Sequence, residues 1–142
     1  MTASRFRQVL VGWDGSANAA EALSAAAAIA GADGGHVVAL AVLKGASRSE
    51  AADDDVSARA AISNLAGEHF ERARQTGPHG VRMSLRIVEN DRVGPTVCDY
   101  ATEHGFDLLV VGRHGDGGLL HPRLGRVAEA AVRSCPIPVL LV

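Results

Sequence analysis

The sequence predicts an α/β domain whose mostly parallel sheet is covered by helices on both faces. Two observations lead there. Short apolar runs of strand length alternate with longer helix-forming stretches along the chain, and most of these runs are continuously apolar, as strands covered on both faces would be. With 142 residues there is room for a real core, and no second domain or internal repeat is visible.

Gln8 to Gly12 (QVLVG) runs into the turn cluster Asp14-Gly15-Ser16 and reads as a buried strand. Ser16 or Asn18 can cap the helix that follows, whose alanine-rich body spans Ala19 to Ala30. His36 to Leu43 (HVVALAVL) is a second buried strand. The acidic triplet Asp53, Asp54 and Asp55 reads as solvated loop or as the first turn of a helix, where acids suit the helix dipole. That helix is expected from Val56 to Gln75, with Ile62, Leu65, Ala66, His69 and Phe70 near one face. Val81 to Val88 alternates apolar and polar residues, which predicts a strand with one wetter face near a sheet edge. A short helix from Pro95 to His104, a buried strand from Leu108 to Val111, a helix from Gly125 to Ser134 and a last strand from Val139 to Val142 complete the alternation.

Composition excludes several classes. Apolar residues make up 47% and charged residues 21%, an ordinary balance for a folded protein. A net charge of -2 gives no general attraction to nucleic acid or to an anionic membrane surface. No stretch approaches the roughly 20 apolar residues that span a bilayer. Without a signal-peptide pattern, the expected location is cytoplasmic. Cys98 and Cys135 fit no CxxC or other metal-ligand pattern and read as two buried thiols in a reducing compartment.

The chemistry concentrates after the fourth strand, in VVGRHGDGGLLHPRLGRVAEAAV, residues 110 to 132. Neither GxxxxGK[ST] nor a GxGxxG after the first strand is present, so the two common phosphate motifs are absent. Gly112 and Gly115 instead stand G-x-x-G apart at the end of a buried strand, and Gly125 opens a helix after nine intervening residues. Glycines let backbone amides approach an anion, and a helix start supplies free N–H groups. The same segment also reads as a plain surface loop. His114, Asp116 and His121 match no standard metal spacing and read as solvated or phosphate-facing. Trp13 reads as pocket wall or as core.

Val11-Gly12-Trp13-Asp14-Gly15-Ser16, the G-2x-G-9x-G spacing of Gly112, Gly115 and Gly125, and the closing Cys135-Pro136-Ile137-Pro138-Val139-Leu140-Leu141-Val142 together resemble the universal stress protein family. The resemblance covers essentially the whole chain. It implies one domain over residues 1–142, a three-layer α/β sandwich with a five-stranded parallel sheet of adenine-nucleotide-hydrolase-like type in order 3-2-1-4-5. It also implies a homodimer built on the strand Val139 to Val142, and ATP or AMP, with or without Mg, at the carboxyl ends of the strands. By position, Asp14 is expected beside the adenosine, and Val42 is expected to offer backbone groups to the adenine. Gly112, Arg113 and Gly115 would line ribose and phosphates, while Gly125, Arg126 and Val127 would present amides at the helix start.

One position departs from the family pattern. The ATP-binding branch has Ser or Thr after the third glycine, where this chain has Arg126. Its planar fork can clamp phosphates, fill the pocket, or favour another anion. Three functions stay open on the sequence: a nucleotide-binding regulatory protein of the stress response, a slow ATPase or autophosphorylating protein, and a dimeric interaction module with a vestigial pocket.

Overall fold

The computed structural model describes residues 6–32, 34–44, 52–77, 80–114 and 124–142, with residues 52–55 described in their backbone alone. Five strands and four helices alternate: β1 (Gln8–Gly12), α1 (Ala17–Gly31), β2 (His36–Leu43), α2 (Ala52–Thr76), β3 (Arg82–Glu89), α3 (Val93–Glu103), β4 (Leu108–Val111), α4 (Arg126–Ser134) and β5 (Val139–Leu141). The strands form one parallel sheet in the order β3-β2-β1-β4-β5.

Because side chains alternate across a strand, each central strand feeds two cores. Val9 and Val11 of β1, Val37, Ala39 and Ala41 of β2 and Leu108 and Val110 of β4 pack with α1 and α2. Leu10, Val38, Leu40, Leu109 and Val111 pack on the other face with α3 and α4. The alanines of α1 leave no long side chains between that helix and the sheet: Ala22, Ala26, Ala27 and Ala30 are fully buried. Asp107 ties the start of β4 to the start of β1, because its Oδ2 accepts from the amides of Arg7 at 3.2 Å and Gln8 at 2.9 Å.

Element types and the edge position of the third strand agree with expectation, while several ends shift for local reasons. Ser16 is the cap of α1, its Oγ accepting from the Ala19 amide at 3.1 Å, so the helix opens at Ala17 and Asn18 is freed for another task. The acidic triplet lies in the opening turn of α2, which begins at Ala52 rather than Val56. At α3 the Asn90 Oδ1 accepts from the Arg92 amide at 2.9 Å, which turns the chain early and starts the helix at Val93, two residues before Pro95. The third strand runs Arg82–Glu89, and β5 ends at Leu141 with Val142 still bonded to its neighbour.

Leu109 is fully buried at the sheet centre, whereas Val132 on α4 is 58% exposed. Replacing Leu109 by Ala is expected to lower unfolding free energy by about 2–5 kcal/mol in chemical denaturation. The same truncation at Val132 should stay within about 0.5 kcal/mol.

Candidate functional site

In open parallel sheets the crevice lies beyond the carboxyl ends of the strands where connections diverge to opposite faces. Here α1 leaves β1 toward one face, and the segment after β4 leads to α4 on the other. The ends of β1 and β4 are level, Gly12 standing opposite Val111, while β2 continues to Leu43 beyond Leu40, the partner of Gly12. Above them opens a cavity of about 680 Å³, within the roughly 300–1,000 Å³ of small-molecule sites. The chain end of β1 (Gly12 to Gly15), β2 from Leu40 to Lys44, and Ala61, Ile62 and Leu65 of α2 form part of the wall. Val93 and Val97 of α3, Val111, Gly112 and His114 after β4, and Gly125 to Ala128 at the start of α4 complete it.

Local physics places each group. Gly15 holds φ 82°, a conformation that favours glycine, and a Cβ there would meet Leu65 Cδ2 at 3.0 Å. This turn brings the Asp14 carboxylate round, and its Oδ1 accepts from the Ser16 amide at 2.9 Å. The carboxylate itself is exposed at the cavity rim. β2 overhangs β1: the Trp13 amide donates to Leu40 O at 3.0 Å, and Val42, two residues on, directs its backbone to the same side, over the cavity. Gly125 caps α4 without a side-chain bond, so the first-turn amides of Arg126, Val127 and Ala128 are beyond the reach of the helix's own ladder. The Gly125 amide itself donates to Arg113 O at 2.8 Å, closing the base of the glycine-rich segment.

Of the residues expected from the sequence, Asp14, Val42, Gly112, Gly125, Arg126 and Val127 all border this cavity. Arg113 does not; it is exposed, and its backbone serves the frame. Gly115, Asp116 and His121 lie outside the described residues. Among the described residues no group of three or more His, Cys, Asp or Glu side chains gathers to hold a metal.

Asn18, read from the sequence as a cap candidate, and Lys44 were not assigned to the site, whereas His114 was read as solvated or phosphate-facing. Asn18 in the first turn of α1 accepts at Oδ1 from the His114 amide at 2.7 Å and donates through Nδ2 to Val142 O at 3.0 Å. Its carbonyl oxygen would stand 2.5 Å from a Cβ at position 112, so glycine there is a matter of space. Val142 O also receives the Arg113 amide at 2.9 Å. The one hint was a polar residue in a helix start otherwise made of alanine. His114 brings its ring to the cavity, where Nδ1 is buried without a hydrogen-bond partner among the described residues. Lys44, the only lysine, adds a second cation at the rim.

Trp13, 4% exposed, serves as both cavity wall and core. Its Nε1–H donates to His69 Nδ1 on α2 at 3.0 Å, with the two rings edge to face. This bond needs a neutral imidazole. Burial holds the His69 pKa below the usual 6.5, the Arg72 guanidinium adds to the effect, and Glu68 opposes it.

A sequence profile of the universal stress protein family matches residues 5–142. Universal stress protein Rv1636 of Mycobacterium tuberculosis is 34% identical over 148 aligned positions, spanning 98% of this chain and 97% of that one. Among solved structures, universal stress protein UspA from Lactobacillus plantarum superposes with a TM-score of 0.75 at 24% identity, covering 99% of each chain. A universal stress protein crystallised in complex with cAMP superposes with a TM-score of 0.69 at 25% identity, covering 96% of each.

The lowered pKa of His69 gives the sign of a pH effect. Its contribution to stability is fully present above the unfolded pKa of about 6.5, and it is lost as pH falls through the lowered folded value. Acidification below 6.5 should therefore reduce the thermal midpoint and shift the fluorescence of Trp13, the only tryptophan. His69→Gln, which keeps an acceptor for the indole but does not titrate, should show a flatter profile; an identical profile would exclude the assignment.

Proposed function

Because the chain belongs to the universal stress protein family, we propose that it is a stress-response regulatory protein that binds an adenine nucleotide at the carboxyl ends of β1, β2 and β4. One observation carries this reading: an apolar crevice of nucleotide size meets an uncapped helix start, with Arg126 exposed beside it. The universal stress protein with cAMP bound supports the choice of adenine nucleotide.

The base lies between the apolar walls of β2 and α2, read by the backbone of Val42, while Asp14 accepts from ribose hydroxyls. Phosphates approach the first-turn amides of α4, whose dipole favours anions. Arg126 makes no ion pair among the described residues, so its fork is available as a phosphate clamp in place of a small hydroxyl. The His114 Nδ1, without a hydrogen-bond partner among the described residues, acquires a ligand oxygen as its partner. Gly112 lets the backbone after β4 approach the phosphates.

Titration with ATP, AMP and cAMP by calorimetry and Trp13 fluorescence tests this. Saturable binding below millimolar concentration is expected, and its absence for all three would overturn the reading. Arg126→Ser should weaken ATP about tenfold, the size of one charge-assisted hydrogen bond, and AMP less. Stronger ATP binding in that variant would instead identify Arg126 as an obstruction. His114→Ala should weaken the bound nucleotide by roughly three- to tenfold.

We also propose a homodimer joined along β5. This strand is an edge of the sheet, with Val139, Leu140 and Leu141 half-buried. Pro138 and Val142 bond toward β4, so by parallel alternation the backbone groups of Val139 and Leu141 face outward, unpaired within the sheet. Sedimentation should report a dimer, and Val139→Pro, which removes an outward N–H, should yield a folded monomer. A monomeric parent protein would refute the proposal.

A further inference from the structure

Away from the nucleotide crevice, α3 and α4 pack side by side on the outer face of the sheet. Gly94 makes the contact close: a Cβ there would stand 2.6 Å from Ala130 Cβ. One turn beyond Gly94 on α3 comes Cys98, only 4% exposed. One turn beyond Ala131 on α4 comes Cys135, the half-buried cap of that helix, pinned by its amide bond to Ala131 O at 3.1 Å. Both cysteines belong to the same apolar cluster, and Cys135 is near enough to Cys98 to raise its pKa. They stand 37 residues apart in sequence, and the helix pairing brings them together. A groove between the two helices, lined by Cys98 with Pro95, Thr102, Ala130, Ser134 and Pro136, opens on Cys98 from outside.

We propose that Cys98 and Cys135 are a redox site, a dithiol that hydroperoxides oxidise to an intramolecular disulfide tying α3 to the end of α4. The roles of the two sulfurs follow from their surroundings. Burial pushes the Cys98 thiol up to about 12, helped by the neighbouring Cys135 and by the nearby Asp99 carboxylate, so Cys98 stays protonated. Cys135, the more exposed of the two, is the first to react. Its thiolate attacks one oxygen of ROOH, the O–O bond breaks, and ROH leaves after taking a proton from water or buffer, giving Cys135 sulfenic acid. The Cys98 sulfur then attacks the Cys135 sulfur, the S–O bond breaks, and the departing hydroxide takes the Cys98 proton as water. In sum, two thiols and one hydroperoxide give one disulfide, one ROH and one water. Forming the disulfide brings the two sulfurs to the about 2.05 Å of an S–S bond.

Both helices also wall the crevice, α3 through Val93 and Val97 and α4 through its first turn. The bond therefore joins two walls of the cavity, although its formation does not depend on what the cavity binds.

Reduced protein treated with excess hydrogen peroxide and analysed by intact mass, denaturing thiol titration and peptide mapping decides the matter. The expected result is a chain that loses the mass of two hydrogens, shows no free thiol in place of two, and yields one linked peptide joining Cys98 to Cys135. Dithiothreitol should restore both thiols. In Cys98→Ser the same treatment should stop at oxygen adducts on Cys135, and in Cys135→Ser the Cys98 thiol should survive. Retention of both thiols by the parent protein, oxygen adducts without the internal link, or cross-links between chains would each overturn the proposal, and none of these readings requires a variant to fold.

Discussion

The parallel register of β1 on β4 is the constraint on which the rest of this molecule depends. Gly12 stands opposite Val111, so two strand ends finish level while their continuations separate. One passes through Asp14 and Gly15 into α1; the other passes through Gly112 toward α4. The separation opens the crevice, and every group proposed to meet a ligand is carried there by a backbone segment that starts from this pair. Glycine at both 12 and 112 follows from the crowding: a Cβ at position 12 would touch Val111 Cγ1 at 3.0 Å, and one at 112 would collide with Asn18. Charge is then brought to an already formed cavity by side chains that do not support the core.

Two clasps keep the crevice in shape. One is Asn18, a helix residue whose amide group holds the chain beyond β4 with one end and the chain beyond β5 with the other. The second is the buried Trp13–His69 bond, which fixes the indole between β1 and α2. Each is a single hydrogen bond or a pair, modest in net free energy, yet costly to leave unmade once the groups are buried. Their effect is to choose one arrangement of the site from several that an apolar core alone would tolerate.

Much of this was legible in the sequence for a simple reason. Buried parallel strands must be continuously apolar; β1 and β4 stop where glycine and aspartate clusters begin, and β2 where the polar stretch from Lys44 begins, so their limits could be read directly. Helix starts were less visible, because Ser16 and Asn90 act through hydrogen bonds that extend a helix backward by a residue or two. The glycine spacing and Asp14 identified the crevice through resemblance. What stayed hidden were pairings between distant positions: Asn18 with His114, Trp13 with His69, and Cys98 with Cys135. None lies within one element, so no periodicity reports it. Only the stacking order of strands and helices brings them together.

The carbonyl of Val142 accepts from the backbone of Arg113 and from the side chain of Asn18 at once. The edge strand and the entrance to the glycine-rich segment are thus held by a shared atom, and α1 is held with them. Any force that draws β5 outward or flattens it against another strand is transmitted to that oxygen, and from it to His114 through Asn18. Free-energy coupling of this kind is reciprocal: whatever steadies the segment after β4 also steadies the sheet edge, by an equal amount. The proposed binding cavity and the proposed assembly edge have, in that carbonyl, a common lever.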